Sequence, residues 1–147
     1  NATELLLENI TTANLPTYLT ISPIDQRFKY STRVYLGFPN RTSTSLTLNF
    51  NINQNDSKQM FTFRMMKDWY DLVWNNEDGS SNYKRNILGE IILYHHDREG
   101  EIIRRVTYHN CQLSNFTPET DLSWDNTSAI MGMSSEFQVD WWEDYYF

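Results

Sequence analysis

Several groups of side chains have types and spacings that could do chemistry. His95-His96-Asp97 with Glu99 looks like a metal-ligand cluster. Successive residues of a strand point to opposite faces, so His95 and His96 would not share one ion, and polar residues are expected at the end of a hairpin anyway. His109 and Cys111 stand two apart, which on a regular strand puts them on one face. A nucleophilic thiol also needs a third group to orient its base; none can be named, and a buried structural thiol is the favoured reading. Asp121 and Asp125 flank Trp124. Paired carboxylates beside an aromatic suit a glycosidase, but the simpler reading is a turn whose Asp side chains bond their own backbone while the indole anchors it. A Gly-rich phosphate loop, a zinc motif and a nucleophile elbow are all missing from the sequence. Motifs alone therefore disfavour an enzyme, and no cofactor or metal is expected.

Six Asn-x-Ser/Thr triplets begin at Asn1, Asn9, Asn40, Asn55, Asn115 and Asn126. They would fit a secreted glycan-binding β-sandwich. With 15 Asn and 26 Ser and Thr in the chain, chance alone yields roughly three such triplets. The single cysteine forbids an internal disulfide and the start lacks a signal-peptide pattern, so the compositional explanation is preferred.

The 147 residues suit one domain, and 15% aromatic content gives it material for a core. The net charge of −7 is unevenly placed. Residues 1–105 hold 12 basic and 12 acidic groups, whereas residues 106–147 hold seven acids and no Lys or Arg. Such a surface repels phosphate, which disfavours tight nucleic-acid binding. No stretch approaches the apolar length of a membrane span.

The elements that must position these residues are mostly strands. Leu46, Leu48, Phe50 and Ile52 alternate with Thr47, Asn49, Asn51 and Asn53. Phe28–Leu36 alternates less cleanly, and Gly37-Phe38-Pro39-Asn40 punctuates, so these two runs are expected to pair as a hairpin with a loop near 37–44. One helix is expected over about residues 57–75, capped by Asp56 or Ser57, with Phe61, Met65, Trp69, Leu72 and Val73 as its buried stripe. Runs 87–96 and 101–108 form a second hairpin around Asp97-Arg98-Glu99-Gly100. In the last strand Phe137, Val139, Trp141 and Tyr145 are expected on one face, with Gln138, Asp140, Trp142 and Asp144 on the other. Hairpin connections imply antiparallel pairing, hence a mainly β sandwich or barrel with one packed helix.

The order of certain segments resembles the tail tube proteins of contractile-tailed bacteriophages, which are related to type VI secretion tubes. The aromatic-rich helix Met60-Phe61-Thr62-Phe63-Arg64-Met65-Met66-Lys67-Asp68-Trp69-Tyr70-Asp71-Leu72-Val73-Trp74 ends at an Asn-rich turn. The turn Asp97-Arg98-Glu99-Gly100, the stretch Asn110 to Phe116, the turn Asp121-Leu122-Ser123-Trp124-Asp125, and Glu136-Phe137-Gln138-Val139 through Asp144-Tyr145-Tyr146 follow in the family's order. The likeness covers about residues 57–147; residues 5–55 match in strand layout only. Two departures stand out. The chain starts late relative to the family, so its extreme N-terminus is expected to be missing. The link Ala129–Ser135 is longer than usual, which would fit a baseplate or tube-initiating ring.

The resemblance implies a virion structural protein with a single tube-like domain over 1–147. It implies hexameric rings stacked into a tube inside a contractile sheath, with sheath, tape-measure and baseplate hub proteins as partners and DNA passing through unbound. On that reading Glu136, Asp140, Glu143 and Asp144 are expected to face the lumen or a neighbouring subunit. Their partners across the interface would be Lys and Arg from the N-terminal two-thirds.

Overall fold

The computed structural model describes residues 10–16, 21–39, 44–53, 60–118 and 130–147. It is mainly β, an antiparallel sheet curled into a half-barrel and covered by one substantial helix. The strands are β1 (Ile10–Ala13), β2 (Ile21–Phe28), β3 (Ser31–Pro39), β4 (Thr44–Asn53), β5 (Gly89–His96), β6 (Ile102–Pro118), β7 (Ile130–Val139) and β8 (Trp141–Tyr146). The helices are α1 (Met60–Val73) and the four-residue α2 (Lys84–Ile87). The main sheet runs β1-β4-β7-β6-β5, with β8 paired to β6 as a continuation of β7.

The alternation in β4 is realised as expected. Leu46, Leu48, Phe50 and Ile52 are buried, and they meet Met133, Phe137 and Val139 of β7 and Val106, Tyr108, Cys111 and Leu113 of β6. Asn14 ties β1 to β4, accepting from the Thr47 N–H at 2.6 Å and donating to the Ser45 carbonyl at 3.1 Å.

Strand β6 changes parity at Asn110, and again at Ser114, where Leu113 pairs with Phe137 but Asn115 with Glu136. Val106 and Tyr108 point inward before Asn110, whereas Cys111 and Leu113 do so after it. Asn110 has φ 55°, a left-handed backbone that Asn tolerates better than most residues. Gly89 pairs with Cys111 while Ile91 pairs with Tyr108, so β6 carries one extra residue there, a β-bulge. Opposite it, Asp140 separates β7 from β8. Phe137 and Val139 are buried, but Trp141 and Tyr145 are exposed, and Trp142 packs on the core. This corrects the single-face reading of the last strand: a regular alternation cannot survive a bend that inserts a residue.

The first hairpin also differs from expectation. β3 pairs with β2 across the tight turn at Lys29-Tyr30, and together they form a separate two-stranded sheet. β4 pairs with β1 and β7 instead, because its buried face needs a partner that also faces the core.

Helix α1 lies where the period predicts, but its stripe is rotated. Thr62 and Met66 are the buried residues, and Phe63, Trp69 and Tyr70 pack on the core beside them. Of the expected stripe, Met65 and Trp69 pack on the core and Val73 is half-buried, but Phe61 is 42% exposed and Leu72 55% exposed. The turn is roughly that of one residue, about 100° of helix. Aromatic contacts set it: Phe63 and Tyr70 meet the Phe116 ring edge to face, with centroids 5.7 and 5.6 Å away, and Trp69 meets Phe137 at 5.2 Å. The Trp69 indole N–H also donates to the Ile87 carbonyl at 2.9 Å. The expected cap residues Asp56 and Ser57 lie outside the described residues. After the helix, Asn75-Asn76-Glu77-Asp78-Gly79 turns the chain as its residue types predict, with Gly79 at φ 68°.

Two substitutions test this packing by urea unfolding. Met66→Ala removes a fully packed side chain and should cost about 2–5 kcal/mol, whereas Leu72→Ala should cost under about 1 kcal/mol. Equal costs would return the helix to the register first expected. A Cβ on Gly89 would sit 2.6 Å from the Trp69 ring, so Gly89→Ala should destabilise by about 1–3 kcal/mol.

Candidate functional site

Among the described residues, neither the His109–Cys111 pair nor the His95-His96-Asp97 cluster assembles into a site. His109 and Cys111 share no face, because the bulge between them turns the thiol inward and leaves the imidazole on the outer side. Cys111 is fully buried, its Sγ lies 3.4 Å from the Tyr108 carbonyl, and burial pushes its thiol up to about 11. Burial likewise pushes the Tyr108 hydroxyl up to about 12. His95 and His96 are exposed, and His96 Nδ1 lies 3.0 Å from the Gly100 carbonyl. Among the described residues no group of three or more His, Cys, Asp or Glu side chains could hold a metal ion. Asp97 serves its turn, its Oδ1 accepting from the Glu99 and Glu101 N–H groups, and Gly100 supplies a positive φ of 87°. Asp121, Trp124 and Asp125 lie outside the described residues, as do all the Asn-x-Ser/Thr acceptors but Asn115.

The acidic residues fall into two kinds. Asp144 grips Arg104 with two hydrogen bonds, at 2.7 and 2.6 Å, and these side chains are only 10% and 15% exposed. Asp140 pairs with Lys84 at 2.7 Å near the surface, and that hydrogen bond holds its carboxyl below the usual range. Both of these cations, Lys84 and Arg104, belong to the same chain as the carboxylates they meet. Glu143 and Glu90 bracket His109, at 3.4 and 4.0 Å, and His109 stacks on Trp141 with ring centroids 4.0 Å apart. Glu136 lies on the outer face of β7.

That outer face is distinctive. On β4, β7 and the second half of β6 it presents Thr47, Asn49, Asn51, Ser134, Gln138, Gln112, Asn115 and Thr117, with Glu136 as its one charge among the described residues. A sheet with one face in the core and one in water shows this alternation, but a face without any cation is unusual in so large an area. The sequence held this signal in the Asn and Thr positions of β4.

Two other surfaces are apolar. The β2–β3 hairpin is exposed along its length and displays Ile21, Ile24, Phe28, Tyr30, Val34 and Leu36. Across the sheet, β1 and β5 border an open cleft of about 640 Å³ with an apolar lining. No helix of the described residues is long and apolar enough to cross a membrane.

No protein-family model matches the sequence, and no curated protein matches it. Solved structures do. The chain resembles a protein in the tube-terminating cap of the anti-feeding prophage, with 14% identity and TM-score 0.60 over 94% of this chain and 80% of that one. It resembles a protein of the sheath–tube complex of the extracellular contractile injection system PVC, with 14% identity and TM-score 0.59 over 94% and 81%. It also resembles a protein of the anti-feeding prophage baseplate, with 9% identity and TM-score 0.55 over 93% and 78%. At such identities the likeness is one of fold. The fold is thus one found in contractile injection particles, in a tube-terminating cap, a sheath–tube complex and a baseplate.

The two ion pairs should behave differently on mutation. Asp144→Asn removes the countercharge of a largely buried guanidinium and should cost about 3 kcal/mol in urea unfolding, against under about 1 kcal/mol for the exposed Asp140→Asn. Because the folded carboxyl of Asp140 sits below its ordinary 3.8, its small contribution is present above that pH and is lost as pH falls through the lower folded value. Cys111 should resist a thiol reagent at pH 8 until the protein is unfolded; rapid labelling of the native protein would contradict its burial.

Proposed function

We propose that this protein is a structural ring subunit of a contractile tail or injection particle, acting without catalysis. The observation that carries the reading is the shared fold over 94% of the chain with proteins of such particles. In this reading six copies close a ring and the rings stack into a tube within a sheath. The molecule lives in the particle, a virion or an injection device, and meets sheath, tape-measure and baseplate proteins. Residues 1–147 act as one domain. The position in the particle is either the bulk tube or a specialised ring at one end of it; the longer Ala129–Ser135 link favours the latter.

The outer face of β4, β7 and β6 is suited to line the channel. It offers Asn, Gln, Ser and Thr side chains and one carboxylate, so a polyanion such as DNA finds hydration but no ion-pairing partner. Glu136 belongs to this lining. Asp140 and Asp144 do not act there, since Lys84 and Arg104 already neutralise them.

Negative-stain electron microscopy of the purified protein should show hollow rings or short tubes; separate compact particles at every concentration would contradict the reading. A triple variant, Asn49→Lys with Ser134→Lys and Gln138→Lys, should form the same rings but retain DNA in a salt-sensitive manner, which the parent protein should not. Unchanged DNA retention in intact variant rings would take that face out of the channel.

A further inference from the structure

The fold leaves a projecting surface and a receding one uncovered. The projecting one is the β2–β3 arm. It forms a two-stranded sheet of its own, and none of its residues from Ile21 to Leu36 is buried. A lone hairpin is at best marginally stable in water, and its exposed Ile24, Phe28, Val34 and Leu36 need a cover. The receding surface is the cleft between β1 and β5, lined by Ile10, Ala13, Leu15, Leu93, Ile102 and Val106. β1 pairs with β4 alone and β5 with β6 alone, so among the described residues each keeps one unpaired edge of backbone groups. Free edges beside an apolar trough are what an extended segment adds to.

Charge decides the occupant and its direction. The arm carries Arg27, Lys29 and Arg33 against Asp25, clustered toward its tip. The turn at one end of the cleft carries Asp97, Glu99 and Glu101 against Arg98. Among the described residues none of these groups joins an ion pair. We infer that the β2–β3 arm of one copy docks in the β1–β5 cleft of a neighbouring copy, its basic tip against the acidic β5–β6 turn. Arm and cleft are different patches, so the contact is head-to-tail and propagates from copy to copy, closing into a ring or extending as a stack. The inference rests on the reading of the protein as a subunit that assembles with its own kind, and it names the surfaces.

The test uses the full chain with benzoylphenylalanine in place of Tyr30, which is 89% exposed at the arm's turn. Isotopically heavy and light protein are mixed, irradiated and mapped by mass spectrometry. Most heavy–light adducts should fall on residues 10–15 and 92–106. Arg27→Glu with Lys29→Glu should lower their yield at least fivefold, and Glu99→Lys with Glu101→Lys in the same chain should restore it. Rings without adducts in those segments would overturn the docking while leaving the ring reading in place. Adducts there without rings would uphold the docking and overturn the ring. Adducts confined to single chains would overturn the docking, because the arm would then fold onto its own cleft.

Discussion

The bulge at Asn110 organises this molecule. At Asn110 the backbone enters the left-handed region, β6 gains a bulge, and its inward side chains pass from even to odd numbers. The paired strand breaks at Asp140, where its inward side chains pass from odd to even numbers. A flat sheet would leave the two halves of β6 facing one way. Bent, it lets Tyr108 and Cys111 both reach the core, lets α1 lie against the second half, and parts β5 from β1 far enough to leave a cleft. The charges at the corner fit this geometry, since the Lys84–Asp140 pair and the His109–Trp141 stack sit where the pleat is interrupted.

The surfaces that follow divide the labour. Among the described residues the polar face of β4, β7 and β6 carries no Lys or Arg, and the arm and cleft have apolar area that a monomer gains little by exposing. The net charge of −7 acquires a distribution in the process. Asp140 and Asp144 stabilise the chain from within, which leaves Glu136 and Glu143 as the acids of the C-terminal strands that face outward without a Lys or Arg partner among the described residues.

Much of the fold was legible where the signal is local. Leu46 to Ile52 announce a half-buried strand by their period, and Asp97 to Gly100 announce a turn by residue type. What escaped was non-local or carried by one residue. Lys29-Tyr30 contains neither Gly nor Asn, so the true β2–β3 turn had no marker, while Gly37 to Asn40 advertised one between strands that do not pair. Asn110 is a single left-handed residue inside a continuous β-rich run, and nothing short of its strand pairing reveals it. Helix α1 is apolar on more than one side, so Phe61 and Leu72 compete with Thr62 and Met66 until Phe116 and Phe137 decide which face turns in. The Arg104–Asp144 pair is a diagonal contact between neighbouring strands, 40 residues apart in sequence. The polar lining was visible as residue types but not as one continuous face.

In the proposed reading the chain works as one of several identical copies closed around a channel. Native mass spectrometry at increasing protein concentration measures this directly. A dominant species of six copies, or of a multiple of six, is the predicted result. A monomer that persists across the whole concentration range would contradict the ring.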